Sequence, residues 1–308
     1  MSAPSAVLFD APGPRTRRRV AIAGALAVLV ILALIAVAVL RLVDRGQFER
    51  DLWAPLIDPG TDEFAPVWGR IGEGLWFTLR AAAAAMVASL VIGVLLTTAR
   101  LSLGRYGRLP LIGLIELLRG LPVVVTIFFV DALLPVVGID IDALWVLAIG
   151  LTAYNMVIVS EILRAGIASL PRGQVEAGLA VGMTRGQAMR LIQLPQAFRT
   201  MLPALISQLI VILKDTAIAS FVLNGIQDLM WQADNLRVVL DNTLQVYFVV
   251  ALIYITINML LDLAARVLER RLSTGSSGRG RGRAARGGAG PVAPTAQLVS
   301  QAAAPGGP

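Results

Sequence analysis

Long apolar runs recur along this chain, and they constrain its folding more than any other feature. A helix that crosses a bilayer needs about 20 largely apolar residues. Residues 20–43 supply the first such run, apolar on all sides over most of its length. Further runs cover 72–99, 111–137, 143–163, 201–224 and 244–267. The expected fold is therefore all-α, a polytopic membrane protein with six transmembrane helices. Composition agrees: of 308 residues 56% are hydrophobic and 15% charged, far less polar surface than a soluble domain of this length needs. The chain has no His and no Cys, which excludes most zinc sites, disulfides and His- or Cys-based catalysis, and no cofactor is expected. Its one lysine, Lys214, sits in VILKDT rather than beside a Gly-rich turn, so the chain carries no phosphate loop of the GxxxxGK[ST] type.

Arginine sets the expected topology. Arg100, Arg105 and Arg108 follow the second run, and Arg164, Arg172, Arg185, Arg190 and Arg199 follow the fourth. Arg266, Arg270, Arg271, Arg279, Arg281, Arg283 and Arg286 close the chain after the sixth. The loop between the third and fourth runs has Asp140 and Asp142 and no basic residue, and the one between the fifth and sixth has only Arg237. Excess arginine belongs on the cytoplasmic side, which puts both termini inside a bacterial plasma membrane. Trp53, Trp68, Trp145 and Trp231 then fall near the outer ends, where indole rings favour the interface. Although Arg15, Arg17, Arg18 and Arg19 precede the first run, it is too long for a signal peptide and no small-residue cleavage site follows, so it reads as an uncleaved anchor.

The resulting division is a cytoplasmic segment 1–19, a first helix 20–43, an extracytoplasmic loop 44–70, a five-helix core 71–267 and a basic tail 268–308. The tail is Gly, Ala, Arg, Pro and Ser, which cannot bury enough apolar area to offset its ordering entropy, and it reads as disordered. Its arginines either contact anionic membrane lipid or simply remain solvated.

The stretch from Arg164 to Pro203 is too polar to span a bilayer, yet it is not a linker. Pro171 can open a helix that continues with Gln174 to Val181. Ala177, Gly178, Val181 and Gly182 then fall on one small-residue face, and Leu194-Pro195 is expected to break the chain before the next span. Such a helix suits docking to a cytoplasmic partner; an amphipathic loop lying on the membrane is the plainer alternative.

The run EAGLAVG, with Glu176, Ala177, Gly178 and Gly182, followed by Leu194-Pro195, resembles the EAA loop of ABC importer permeases. GLWFTL (74–79), ELLRGLP (116–122), FFVDALLP (128–135), AYN (153–155), EILRAGI (161–167), LPQAFR (194–199) and LKDTAI (213–218) resemble the polar amino-acid branch of that family, in order, over about residues 70 to 265. The start, VLFDAPGPRTRRR, and the long outer loop are similar to glutamate-uptake permeases of GC-rich bacteria. The resemblance implies a transport subunit without catalysis of its own. It further implies a partner ATPase seated on the loop 164–200, a second permease subunit, an extracytoplasmic substrate-binding protein, and no nucleic acid. Departures from the pattern are Gly178 in place of the second Ala, Asp131 where an aromatic residue is common, and Ile158 where Tyr often stands.

Ionised groups at mid-bilayer cost roughly 3 kcal/mol on insertion scales, so each needs a reason. Lys214, Asp215 and Thr216 either line the translocation path or make a structural ion pair. Asn155 belongs to the same candidate path, and Asp131 is a candidate for meeting a substrate ammonium. Glu116 and Arg119 are expected to pair within one helix, and Glu161 with Arg164 to fix the loop. An ion-gradient-driven secondary transporter is the alternative, but no internal repeat supports it. A membrane-embedded enzyme would need an Asp pair or a Ser-Lys arrangement, and Ser220 is six residues from Lys214, off its face.

Overall fold

The computed structural model describes residues 13–223 and 225–274, and every regular element among them is helical. The extreme N-terminus and the tail beyond Thr274 lie outside the described residues, and with them most of the expected basic tail. Helices α1 (Pro14–Asp44), α3 (Phe64–Ser102), α6 (Ala143–Ala168), α9 (Leu194–Ala219) and α11 (Thr243–Thr274) correspond to five of the six expected spans. α2 (Arg50–Ile57) occupies the expected outer loop. α1 buries none of its residues.

The third run does not make one straight helix. It divides into α4 (Arg105–Gly120) and α5 (Val123–Val136), which meet at 107°. Pro122 has no N–H and disfavours helical backbone at the residue before it, and Leu121 is accordingly extended at φ −86°, ψ 138°. At 1.5 Å per residue the halves are about 24 and 21 Å long, so neither alone covers a bilayer core of about 30 Å. Glu116 and Arg119 form no ion pair; both are exposed on α4, which buries only Ile115.

α6 is the centre of the bundle and more of it is buried than of any other span. Leu147 and Leu151 pack into one apolar core with Ala81 and Ala85 of α3, Ile127 of α5 and Ile212 of α9. α3 approaches α6 so closely at Gly93 that an added Cβ would stand 2.7 Å from Val159 Cγ1 and 3.1 Å from the Met156 carbonyl. Hydrogen bonds stitch the same seam: Thr97 Oγ1 donates to the Gly93 carbonyl at 2.8 Å and lies 3.0 Å from Ser160 Oγ. Between α6 and α9, Gln208 Nε2 donates to Asn155 Oδ1 at 2.6 Å, and Asn155 Nδ2 donates to the Leu151 carbonyl at 2.8 Å.

The end remote from most of the arginines has its own core, where Leu56, Val67 and Ile71 meet Leu229, Leu236 and Val246. Leu229 and Leu236 belong to α10 (Leu229–Leu240), a helix absent from the sequence-based expectation. Its first turn is fastened twice: Asp228 Oδ1 accepts from the Trp231 N–H at 2.9 Å, and Thr78 Oγ1 accepts from the Leu229 N–H at 3.0 Å. Asn242 and Gln245 donate to the carbonyls of Leu52 and Gln47, tying the α1–α2 region to the start of α11.

Asp228 is fully buried and its Oδ2 has no hydrogen-bond partner among the described residues; loss of water pushes its carboxyl up to about 6, against the helix N–H groups that favour the anion. The native state thus keeps this proton to higher pH than the unfolded chain, and stability falls as pH rises from about 4 to about 6. Asp228→Asn keeps a capping oxygen and removes the charge. In thermal unfolding it should be more stable than wild type by about 2 kcal/mol near pH 7, with little difference near pH 4.

Candidate functional site

The polar stretch after α6 folds as a short helical hairpin. α7 (Arg172–Ala180) is followed by α8 (Arg185–Ala188) and then by a π-helical turn, Met189–Gln193, that runs straight into α9. α7 ends because Gly182 adopts φ +90°, a backbone that side-chain-bearing residues rarely take. The Gly182 N–H bonds to the Leu179 carbonyl at 3.0 Å and the Met183 N–H to the Gly178 carbonyl at 3.1 Å, the Schellman pairing. Thr184 and Gln187 then start α8 as a reciprocal capping box.

The four small residues expected on one outward face are divided between two jobs. Gly178 is buried, and an added Cβ there would stand 2.8 Å from Ile192 Cδ1 and 3.3 Å from Met183 Sδ. It lets α7 close on the π-turn within the chain itself. Gly182 has nothing within 4 Å of an added Cβ, so its role is the backbone turn rather than space. Glu176, Ala177, Leu179 and Val181 stay exposed, and they are what α7 presents outward.

Leu194-Pro195 does not break the chain. The helix continues from Arg185 to Ala219, and the Leu194 N–H reaches back five residues to the Met189 carbonyl. A π-turn widens the helix just where the ring of Pro195 would otherwise strike the preceding turn, so the proline is accommodated instead of ending the helix. Leu194 packs on Ile167, Met189 and Ala197, which locks the end of α6 to the start of α9; Pro195 is exposed.

Below this hairpin Glu161 of α6 accepts from two arginines. Arg100 of α3 donates to Oε1, and Arg164 Nε donates to Oε2 at 2.8 Å. The pairing of Glu161 with Arg164 read from sequence is present, and Arg100, which joins α3 to the cluster, was not foreseen. Its 61-residue separation from Glu161 gives no local signal.

The candidate path residues have distinct surroundings. Lys214 is exposed on α9 with Ser207 and Val211, one open stripe of the helix. It lies about 22 Å along the helix from Arg199, within the length that crosses a membrane. Asp215 is half-buried, and Thr216 is buried with its hydroxyl donating to the Leu213 carbonyl at 2.7 Å. Neither Lys214 nor Asp215 has an ion pair among the described residues. Asp131 is half-buried and, with Asp140 and Leu134, lines a cavity of about 200 Å³. Asn155 is 0% exposed and engaged with Gln208, so within the single chain it meets another side chain rather than open space.

Residues 89–274 match the family described as binding-protein-dependent transport system inner membrane component. The chain is similar to the glutamate transport system permease protein GluD of Corynebacterium glutamicum, with 38% identity over 75% of this chain and 83% of that protein. It is 31% identical to the arginine transport system permease protein ArtQ of Bacillus subtilis, over 66% of this chain and 92% of that one. It is 32% identical to the glutamine transport system permease protein GlnP of Escherichia coli, over 68% and 97%. Among solved structures it resembles a chain of an amino acid ABC transporter crystallised with histidines, with 31% identity and TM-score 0.61, covering 68% of this chain and 95% of that one.

The division of labour in α7 has a measurable consequence. Gly178→Val should force α7 off the π-turn, and hydrogen–deuterium exchange across 172–193 should rise by about ten-fold, an overpacking cost of about 1–2 kcal/mol. Ala177→Val, one residue earlier but exposed, should leave that exchange unchanged.

Proposed function

Because this chain belongs to the family of binding-protein-dependent transport system inner membrane components, we propose that it carries glutamate through the membrane and takes its drive from an ATPase seated on α7. The chain is a multi-pass inner-membrane permease subunit of an ABC importer for amino acids, not an enzyme, and permeases of this kind work with an ATPase and a substrate-binding protein.

The observation that carries the coupling reading is the two-sided α7. Inward, Gly178 fixes it to the π-turn; outward, Glu176, Ala177 and Leu179 are open for a partner. The hairpin runs straight into α9 through the π-turn, and Leu194 packs it onto the end of α6 at Ile167, so on this reading a push on α7 reaches two spans. On this reading the arginine-rich end and both termini are cytoplasmic. The loop 164–200 is the ATPase seat and 71–267 is the permease core.

The path follows from charge. An ammonium on an open helix stripe within the membrane-crossing length cannot be left facing hydrocarbon, where it costs roughly 3 kcal/mol or more. The stripe of Ser207, Val211 and Lys214 therefore faces water or a second permease subunit, a paralogue in our reading. A lone cation there attracts an acidic substrate, which agrees with the identity to the glutamate permease. Asp131 would meet the substrate ammonium, with Asp215, Thr216 and the buried Asn155 shaping the wall behind them.

The test is uptake into proteoliposomes holding this chain, its ATPase, the paralogous permease and the binding protein. ATP-dependent glutamate uptake is expected. Ala177→Arg should weaken ATPase association by about 30-fold, the scale of an interface hot spot, and abolish uptake. Lys214→Gln should keep association and lower glutamate uptake by about ten-fold, the scale of one lost charge interaction. Uptake that follows an ion gradient without ATPase would overturn the coupling reading. Glutamine or arginine carried in preference to glutamate would overturn the substrate alone.

A further inference from the structure

On the outer surface of the bundle α3, α9 and α11 leave a groove of about 480 Å³. Trp76, Ala83 and Met86 of α3, Leu209 and Leu213 of α9 and Leu261 of α11 line it, and one charged residue, Arg80, stands at its rim. The Arg80 guanidinium lies 5.6 Å from the centre of the Trp76 ring and has no carboxylate partner among the described residues.

The position of Arg80 along α3 fixes its depth. Residues 81–99 carry no charge, and Arg100 closes that stretch. From Arg80 to Arg100 the helix rises about 30 Å, the thickness of a bilayer hydrocarbon core. The uncharged stretch between the two arginines is thus long enough to cross the hydrocarbon core, and with Arg80 at its outer edge the groove descends from the headgroup level into the acyl region. A Trp beside a cation at this level matches the headgroup zone, where indole rings sit with their apolar body in the bilayer.

The groove also points away from the side that carries charge. At 100° per residue, Leu209 and Leu213 leave α9 roughly 150° from the stripe of Ser207, Val211 and Lys214. The lysine stripe needs water or protein; the groove, apolar apart from its rim, suits hydrocarbon.

We propose that this groove holds one anionic phospholipid, its phosphate on Arg80 against the Trp76 ring and an acyl chain between α3, α9 and α11. This rests on the membrane assignment of α3 and not on the substrate or the coupling helix. The phosphate supplies the counter-charge that Arg80 lacks within the chain, and the acyl chain covers apolar side chains that the bundle leaves open. The lipid would brace α3 against α9, the two helices between which Met86 and Leu213 lie.

Native mass spectrometry of the detergent-solubilised full chain tests this, with phosphatidylglycerol and phosphatidylcholine of identical acyl chains as probes. Wild type should retain the anionic lipid about five-fold over the zwitterionic one, the scale of one arginine near a charged headgroup. Arg80→Gln should bring the two to parity, Arg80→Lys should keep the preference, and Ala83→Phe, which fills the groove, should lose both lipids. Equal retention by wild type, or an undiminished preference in Arg80→Gln, overturns the proposal. So does a disulfide in native membranes from Ala83→Cys to its counterpart in a second copy, or to Leu29→Cys of α1, because protein would then cover the groove.

Discussion

A polar group with no partner in hydrocarbon is the most expensive object this chain can contain, and the bundle is arranged around avoiding it. Many of the hydroxyl and amide side chains inside the spans are handled locally, although Ser89 Oγ and Asn258 Oδ1 are buried without a partner among the described residues. Thr97 bonds back to the Gly93 carbonyl, Thr98 to Val94, Thr152 to Ala148 and Asn155 to Leu151, each four residues earlier on its own helix. A helix that satisfies its own side chains can pack through an apolar face without importing desolvation cost. The Thr97–Ser160 and Asn155–Gln208 contacts fall at the α3–α6 and α6–α9 seams, where they fix which rows of each helix face each other. The placement of α6 at the centre follows from this, since both seams run along it.

Charges obey the same rule with less freedom. Glu161 sits between Arg100 and Arg164, so two arginines of the basic end share one carboxylate at the point where α3 and α6 leave the apolar layer. That cluster lies at the root of the α7–α8 hairpin. Its ions hold α3 to α6, Leu194 holds α6 to α9, and Gly178 holds the hairpin to the π-turn. Three fastenings of different chemistry thus converge on one end of the bundle. The opposite end is closed by apolar packing of α2, α3, α10 and α11 and by amide-to-carbonyl bonds from Asn242 and Gln245.

How much of this was legible in the sequence depended on whether the signal was local. α1, α3, α6 and α11 each contain a long apolar run, and run length alone identifies them. The ordered motifs from GLWFTL to LKDTAI were enough to place the family. Pro122 stands plainly within the third run, but the angle it allows does not show in sequence, because how far a chain turns at an extended X-Pro step is decided by what the two halves pack against. α10 was missed although Asp228 is a good N-cap and Leu229, Ala233 and Leu236 have helical spacing, since a 12-residue segment between two dominant spans reads as a loop. Pro195 misled in the other direction. Proline predicts a stop in an α-helix, and nothing nearby in sequence announces the π-turn that accommodates it. The small-residue face was the subtlest case: Ala177, Gly178 and Gly182 have the spacing of a single face, but one glycine answers to Ile192, the other to its own φ, and only the alanine to the outside.

That last distinction changes what the EAA-type pattern means physically in this chain. A purely outward small face would describe a smooth seat that a partner could press against and slide over. A helix whose glycines are used inward and at its end is a short stiff lever instead, clamped at Gly178 and turned sharply at Gly182, with Glu176, Ala177 and Leu179 as its free edge. On the coupling role proposed above stiffness matters, because a loop that passes displacement on must not absorb it, and a flexible linker would. The continuous helix from Arg185 to Ala219 completes the lever, since force entering at the hairpin meets no loop before it reaches Lys214. On this reading the π-turn is the one compliant point along that line, a widened turn that shifts its hydrogen-bond register at small cost, and it sits where the moving hairpin joins the membrane-crossing part of the helix.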